Sequence, residues 1–250
     1  MNCTVFVTVR TASSRLPKKA LLKIKERTLI RLLIDRIKTT QNIGKIVVCT
    51  TTEKSDDELT DILLKSQIEV FRGDSIDILN RLYLAAKKYQ VEEFVVVEGD
   101  DIFCDPFFIQ ITCSTLTKSN SDFIIWKNVP FGTSPYGIKT AKLKLLIDKK
   151  GTKNTETGWG KFIIESGLLK VEILEPEDRT LIRPELRLTV DYKEDLELAT
   201  KIYENLHGDF SLKDIITILD KNPQWVKINE SINSKYQENF ESKRQRWVKR

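Results

Sequence analysis

The sequence predicts an α/β fold, a mainly parallel sheet with helices on both faces. Three observations carry that expectation. Short β-branched runs recur along the chain and are apolar throughout rather than alternating, as strands buried on both faces are. Between them, apolar residues return at helical spacing. The chain of 250 residues, 40% apolar and 31% charged, is long enough to bury the core of one large domain.

Each element follows in order. Cys3–Val9 is the first buried strand. Leu29, Ile30, Leu33, Ile34 and Ile37 mark the apolar stripe of a helix, and Lys45–Thr50 is the second strand. Asp56, Asp57 and Glu58 suit the first turn of a helix, where carboxylates meet free N–H groups, and Leu59, Ile62 and Leu63 give it an inner face. Ile68–Phe71 forms the third strand. Asp74 or Ser75 caps a helix running to about Lys88, and Glu93–Val97 is the fourth and most apolar strand. Alternation of this kind closes by right-handed crossovers into a parallel sheet. Glycines and prolines concentrate between residues 126 and 161, which marks a small inserted region carrying substrate selection or oligomer contacts. Arg187–Asp191 returns as a strand and a helix covers Glu194–Asn205. Helical stretches at Leu212–Leu219 and Pro223–Ser234 end the domain near residue 235, leaving 236–250 as a basic C-terminal tail.

Composition excludes several classes. No apolar run approaches the roughly 18 residues of a membrane span, and no basic and apolar leader opens the chain, so a cytoplasmic protein with no membrane partner is expected. Cys3, Cys49, Cys104 and Cys113 are scattered, without a C-x-x-C pair and with His207 as the single histidine. That pattern argues against zinc and against histidine-based triads, and reduced core thiols are expected. The net charge of +5 equals the five cations Lys243, Arg244, Arg246, Lys249 and Arg250 in the last eight residues. The remainder is neutral and carries no nucleic-acid motif, so no specific nucleic-acid partner is expected.

Chemistry concentrates where the first strand ends. Arg10-Thr-Ala-Ser-Ser-Arg-Leu-Pro-Lys-Lys19 holds four cations and three hydroxyls. Ligands of open parallel sheets bind at the carboxyl ends of strands, so this loop faces the binding crevice. Dense cationic donors hold phosphates, arginine bidentately. Neither a Walker loop nor a G-x-G-x-x-G motif is present. The fourth strand ends in Glu98-Gly-Asp-Asp101, and Asp105-Pro106 reads as a helix N-cap followed by proline at the first helical position.

Arg10-x-x-Ser13-Ser14-Arg15-Leu16-Pro17-x-Lys19 resembles the signature loop of the cytidylyltransferases that make CMP-activated sugars, among them CMP-Kdo synthetases, CMP-sialic acid synthetases and the spore-coat polysaccharide group. That family has a Rossmann-like, glycosyltransferase-A-like nucleotidyltransferase fold. Its loop carries glycine before the lysine, where this chain has Lys18. Val70-Phe-Arg-Gly-Asp74 with Asp77, Leu79 and Arg81 is similar to a second family stretch, which implies that Arg72 belongs to the nucleotide pocket; Arg81 reads equally as a surface residue paired with Asp77. Gly99-Asp100 resembles the metal-holding strand end, and Leu188-Thr-Val-Asp191 with Asp195 resembles the late motif of the second metal ligand.

The resemblance therefore implies a Mg²⁺-dependent transfer of CMP from CTP to a sugar or sugar-acid acceptor, for surface polysaccharide or glycoconjugate synthesis, by a homodimer. Arg10, Ser13, Ser14, Arg15, Lys19, Arg72, Glu98 and Asp100 would hold the nucleotide. Arg15, Lys19, Asp100 and Asp191 would be catalytic, with Asp100 and Asp191 on the metal. Glu98 stands near the base or serves as a polar strand end. Tyr136, Trp159 and Lys161, in the segment least like the family, are the acceptor-side candidates, although Trp159 between glycines also suits packing. Asp195 supports the start of its helix. Two other readings stay open: a glycosyltransferase using a ready-made nucleotide sugar, and a non-catalytic nucleotide-binding regulator.

Overall fold

The computed structural model describes residues 3–243, so Arg244, Arg246, Lys249 and Arg250 of the expected tail lie outside the described residues. In chain order come β1 (Cys3–Thr8), a hairpin of β2 (Lys23–Ile24) and β3 (Arg27–Thr28), α1 (Leu29–Lys38), β4 (Ile43–Thr51), α2 (Asp57–Lys65), β5 (Glu69–Gly73), α3 (Ile78–Tyr89), β6 (Glu93–Glu98) and α4 (Pro106–Lys118). Then follow β7 (Phe123–Trp126), β8 (Tyr136–Lys139), α5 (Thr140–Lys149), α6 (Trp159–Ser166), β9 (Val171–Leu174), α7 (Lys193–Asn205), α8 (Leu212–Lys221), α9 (Pro223–Val226) and α10 (Ile232–Lys243).

Seven strands form one sheet in the order β5-β4-β1-β6-β8-β7-β9. Every pairing is parallel except those of β8 with β6 and β7. The central β1 explains why its residues are apolar without alternation: Val5, Phe6 and Val7 are all fully buried. Val5 and Val7 join the core layer of α1, α4, α7 and α8, while Phe6 joins the opposite layer with Leu79, Leu82 and Trp159. Loss of such a ring, as in Phe6→Ala, typically costs about 3–5 kcal/mol. Register then positions the chemistry: Thr8, the last residue of β1, lies level with Cys49 of β4 and with Glu98 of β6. The loops leaving β1 and β6 therefore emerge side by side at the carboxyl edge.

Several expectations change in detail. Within the segment 126–161, β8 lies between β6 and β7 inside the sheet and α5 covers it. Its glycines and prolines accompany a reversed strand. Arg187–Asp191 forms no strand; it is an extended segment with one isolated bridge, Arg187 to Phe131. Asp77, not Asp74 or Ser75, caps α3 by accepting from the Asn80 N–H at 3.1 Å. Asp105 caps α4 with Pro106 behind it, as expected. Chain end and cysteines differ as well: α10 continues past residue 235 to Lys243, and Cys3 is joined to Cys113 as a disulfide with Cα atoms 6.0 Å apart, leaving Cys49 and Cys104 as free buried thiols. Among the described residues, no helix is long and apolar enough to cross a membrane.

Candidate active site

The site is assembled at the carboxyl edge from segments distant in sequence. Gly99 lets the end of β6 lie against β1: a Cβ there would meet Val9 Cβ at 2.5 Å, and the Gly99 N–H donates to Thr8 O at 2.8 Å. The extended segment 187–191 is tied to the same edge by the Val190 N–H, which donates to Asp100 O at 3.0 Å. On its other side Gly132, at φ +89°, takes a conformation and a closeness to Thr189 that a side chain would not permit. Asp100 and Asp191 are thereby brought together across 91 residues, although the second is not at a strand end.

Between them stands the first loop. Lys19 Nζ contacts an Asp100 carboxylate oxygen and lies 2.8 Å from Asp191 Oδ1, while Arg15 Nη2 contacts the same Asp191 oxygen. Burial works against the Lys19 charge, but the two carboxylates outweigh it and hold the ammonium above its ordinary range. Burial would likewise lift Asp191; Lys19 and Arg15 outweigh it and hold that carboxyl well below its usual range. Arg15 Nε is buried without a hydrogen-bond partner in the structure, so this guanidinium keeps donor capacity that a ligand oxygen can use.

A cavity of about 710 Å³ opens over this centre, and Arg10, Ser13, Ser14, Arg15 and Lys19 line one side of it. Glu98 and Asp100 line it too, and with the neighbouring Asp101 each offers a carboxylate oxygen within 4.8 Å of the others. Burial, with Asp100 alongside, pushes the Glu98 carboxyl up to about 7, while the Trp159 indole donates to it at 2.9 Å. Burial, with Asp100 and Glu98 alongside, raises Asp101 well above the carboxylate range. Glu98 thus stands in the acidic cluster beside Asp100.

Two arginines have partners that local spacing did not indicate. Arg72 does not line the cavity: it donates to Thr51 O and Glu53 O, each at 2.8 Å, and pairs with Asp57 at 2.7 Å, clipping β5 to the turn after β4. Arg81 does not pair with Asp77 on a surface. It is buried, donates to Asp74 O at 2.9 Å, and pairs at 3.1 Å with Glu156, which also holds Arg10 at 3.2 Å. Of the acceptor-side candidates, Tyr136, Trp159 and Lys161 all line the cavity. Trp159 is only 2% exposed and packs edge-on against Tyr136, so its faces belong to the core rather than to a stacked ligand. Lys161 pairs with Glu241 of α10 at 3.1 Å.

Sequence reasoning missed five residues around the site. Asp56, read as a helix-start residue, is fully buried and accepts from the Thr11 N–H and hydroxyl at 2.7 and 2.6 Å, anchoring the first loop. Arg187 braces Asp191 Oδ2 at 3.3 Å and Asp195 at 2.9 Å. Asp195 in turn accepts from the Asp191 and Tyr192 N–H groups, the helix-start role expected of it. Glu156 was not singled out, and Tyr236 and Phe240 were assigned to the tail, yet all three line the cavity. The Tyr236 and Phe240 spacing of four on one helical face is the signal that was available.

Comparisons with known proteins agree with this architecture. A family model described as "Cytidylyltransferase" matches residues 4–211. An uncharacterized protein of Methanocaldococcus jannaschii is 32% identical over 239 residues, covering 94% of this chain and 97% of its own. The spore coat polysaccharide biosynthesis protein SpsF of Bacillus subtilis is 27% identical over 235 residues, covering 89% and 96%. Among solved structures, a cytidylyltransferase from Leptospira borgpetersenii shares the fold at a TM-score of 0.81 and 23% identity, over 90% of this chain and 97% of that one. On the extent of the family match and the identity to the archaeal relative, this chain belongs to the cytidylyltransferase family.

Proposed function

We propose that the chain is a divalent-metal-dependent enzyme, with Mg²⁺ as the ion, that transfers CMP from CTP to a hydroxyl oxygen of a small acceptor and releases pyrophosphate. One observation carries the reading: the Lys19 ammonium bridges Asp100 and Asp191 at the carboxyl edge of the sheet, with the Arg15 Nε, which has no hydrogen-bond partner among the described residues, beside it. A cation already bridges these carboxylates, and their hard oxygen donors suit Mg²⁺, so the residues fit such an ion; Asp100 and Asp191 would hold it. When bound, Mg²⁺ supplies Lewis acidity at the phosphoryl oxygens.

The chain's own residues account for the rest. Arg10, Arg15 and Lys19, with the N–H groups around Ser13 and Ser14, hold the β- and γ-phosphates and offset the charge that builds on the departing pyrophosphate. The acceptor oxygen bonds to the α-phosphorus as the bond from that phosphorus to the bridging β-oxygen breaks, and the acceptor hydroxyl gives up its proton. Such transfers rest on positioning and electrostatics, so no histidine is required. The role in surface polysaccharide synthesis is supported by the name of the Bacillus subtilis relative. Cytoplasmic location and assembly as a homodimer are part of the proposal, the latter checked by light scattering.

The test is pyrophosphate release with each of the four nucleoside triphosphates and a panel of acceptors. Release with CTP is expected, and Asp100→Asn is expected to lower kcat by on the order of 100-fold or more while leaving the melting temperature within a few degrees. Activity with UTP alone, or near-wild-type turnover in Asp100→Asn, would remove the assignment. Transfer from ready-made CMP-sugars would point to a glycosyltransferase instead.

A further inference from the structure

The helix α10 places an aromatic ring against the phosphate-binding side of the site. Ile232, Tyr236 and Phe240 recur at i, i+4 and i+8 and so share one helical face. Tyr236 and Phe240 line the first cavity. Two cations lie over the Tyr236 ring: its centroid is 4.6 Å from the guanidinium carbon of Arg187 and 5.8 Å from that of Arg15. The Tyr192 ring is 5.5 Å from the same Arg15 carbon. Both arginines also converge on one carboxylate, Arg15 on Asp191 Oδ1 and Arg187 on Asp191 Oδ2. They are held differently. The Arg187 side chain is 1% exposed and is fixed by Asp195 at 2.9 Å. The Arg15 side chain is 26% exposed, contacts Asp191 through Nη2, and has no hydrogen-bond partner for Nε among the described residues.

A ring and a carboxylate hold an arginine in different ways. A carboxylate occupies N–H donors, which are the groups a phosphate needs. An aromatic ring attracts the cation without using those donors, and they stay open in the plane of the guanidinium. A triphosphate that draws Arg15 from Asp191 would leave the rings in place as its support. An arginine fixed before its ligand arrives also spares the ligand part of the entropy of ordering a long side chain. Of the two rings, Tyr192 is buried in the chain segment that carries Asp191 itself. Tyr236 stands instead on a helix in which Ile232 is the buried residue, and that helix begins beyond residue 211, where the family match ends. We propose that Tyr236 is a positioning residue for the transfer: its ring holds the Arg15 guanidinium with its edge turned to the triphosphate, which makes α10 part of the nucleotide site. The contact of ring and guanidinium rests on the geometry alone. Its purpose rests on the cytidylyl-transfer reading above.

Contact and purpose are tested separately on the full chain. The Arg15 Nε–H resonance, assigned by its loss in Arg15→Ala, is followed by NMR without nucleotide, and CTP affinity is measured by calorimetry in excess Mg²⁺. A proton over a ring face is shifted upfield, so Tyr236→Leu should move the resonance downfield and Tyr236→Phe should leave it in place. For CTP, Tyr236→Leu is expected to raise Kd at least fivefold, about 1 kcal/mol and within the range of a cation–ring contact. Tyr236→Phe should stay within about twofold of the parent. In the Arg15→Ala background, Tyr236→Leu should change Kd by less than about twofold, because a residue that acts through Arg15 has nothing to add once Arg15 is gone. Three results would each overturn the proposal: an unmoved resonance in Tyr236→Leu, an equal effect of Tyr236→Leu on CTP affinity in both backgrounds, or a loss in Tyr236→Phe as large as in Tyr236→Leu, which would assign the effect to the hydroxyl. A shifted resonance together with a CTP affinity that Arg15→Ala leaves unchanged would sink the triphosphate role of Arg15 instead, and the ring contact would stand.

Discussion

Lys18 shows how one residue connects sequence to strain. It occupies the position where the family loop has glycine, and its backbone lies at φ 52° and ψ 29°, the left-handed region. That conformation costs a residue with a Cβ about 1 kcal/mol or more, and glycine avoids the cost. The Lys18 side chain returns little, because its pair with Glu58 at 2.6 Å is exposed on both sides. After allowance for the greater freedom of glycine in the unfolded chain, Lys18→Gly is expected to stabilise the protein by about 0.5–1 kcal/mol. In a chain of this length that is a rise of about 1–3 °C in melting temperature, and calorimetry showing a fall would contradict the strain reading. The departure at Lys18 was visible in the sequence; its backbone geometry was not. Arg72 and Arg81 teach the converse. Both sit in a family-like stretch, yet their partners, the Thr51 and Glu53 carbonyls and Glu156, are set by chain crossings that local spacing does not encode.

At the scale of elements, four of the parallel strands, β1, β4, β5 and β6, were legible because each is a short apolar run, and the carboxyl edge as site followed from their shared direction. The reversed β8 was not legible. Its four residues, Tyr136–Lys139, contain a glycine and end in a lysine, and they become a strand only because β6 and β7 lie on either side. The anchor of the first loop was hidden for a related reason, since Asp56 bonds to Thr11 across 45 residues. Asp56 also accepts from the Thr50 hydroxyl at 2.9 Å and the Thr51 N–H at 3.2 Å, so one carboxylate joins the loop after β1 to the end of β4. Burial opposes its charge, but these hydrogen bonds outweigh burial and lower its pKa in the folded state. The sign follows. A carboxyl depressed on folding contributes its full stability above the unfolded value of about 3.9, and loses it as pH falls through the lower folded value. Asp56→Asn is therefore expected to cost about 2 kcal/mol at pH 7, within the range for charged hydrogen bonds. The gap from the parent should narrow steadily below about pH 4. Urea unfolding across pH 3 to 7 checks this, and a gap that stays constant or widens toward acid would show that Asp56 is not the ionised anchor.

Over the whole molecule, the segments 10–19, 98–101, 156 and 187–191 meet as a set of opposed charges that neutralise one another. Lys19 and Arg15 pair with Asp100 and Asp191, and Arg10 pairs with Glu156. On the proposed reading a triphosphate binding alone would draw these cations away, leaving Asp100 unmatched and Asp191 with Arg187 alone, and breaking a buried pair in this way costs roughly 3–5 kcal/mol. A divalent ion binding alone meets the ammonium of Lys19 at the same carboxylates. On the same reading, when both bind, phosphates would take the cations and the ion would take the carboxylates, so every charge would keep a partner. The two ligands should therefore be coupled, and coupling between sites is reciprocal. Calorimetric titration with CTP in excess Mg²⁺ is expected to give a Kd at least tenfold lower than titration in a chelator, a coupling of about 1.4 kcal/mol or more. Asp100→Asn should reduce that ratio, because one of the carboxylates needing compensation is gone. Equal CTP affinity with and without the metal, or a ratio unchanged in Asp100→Asn, would show that the ion pairs at this edge are independent braces rather than a network exchanged on binding.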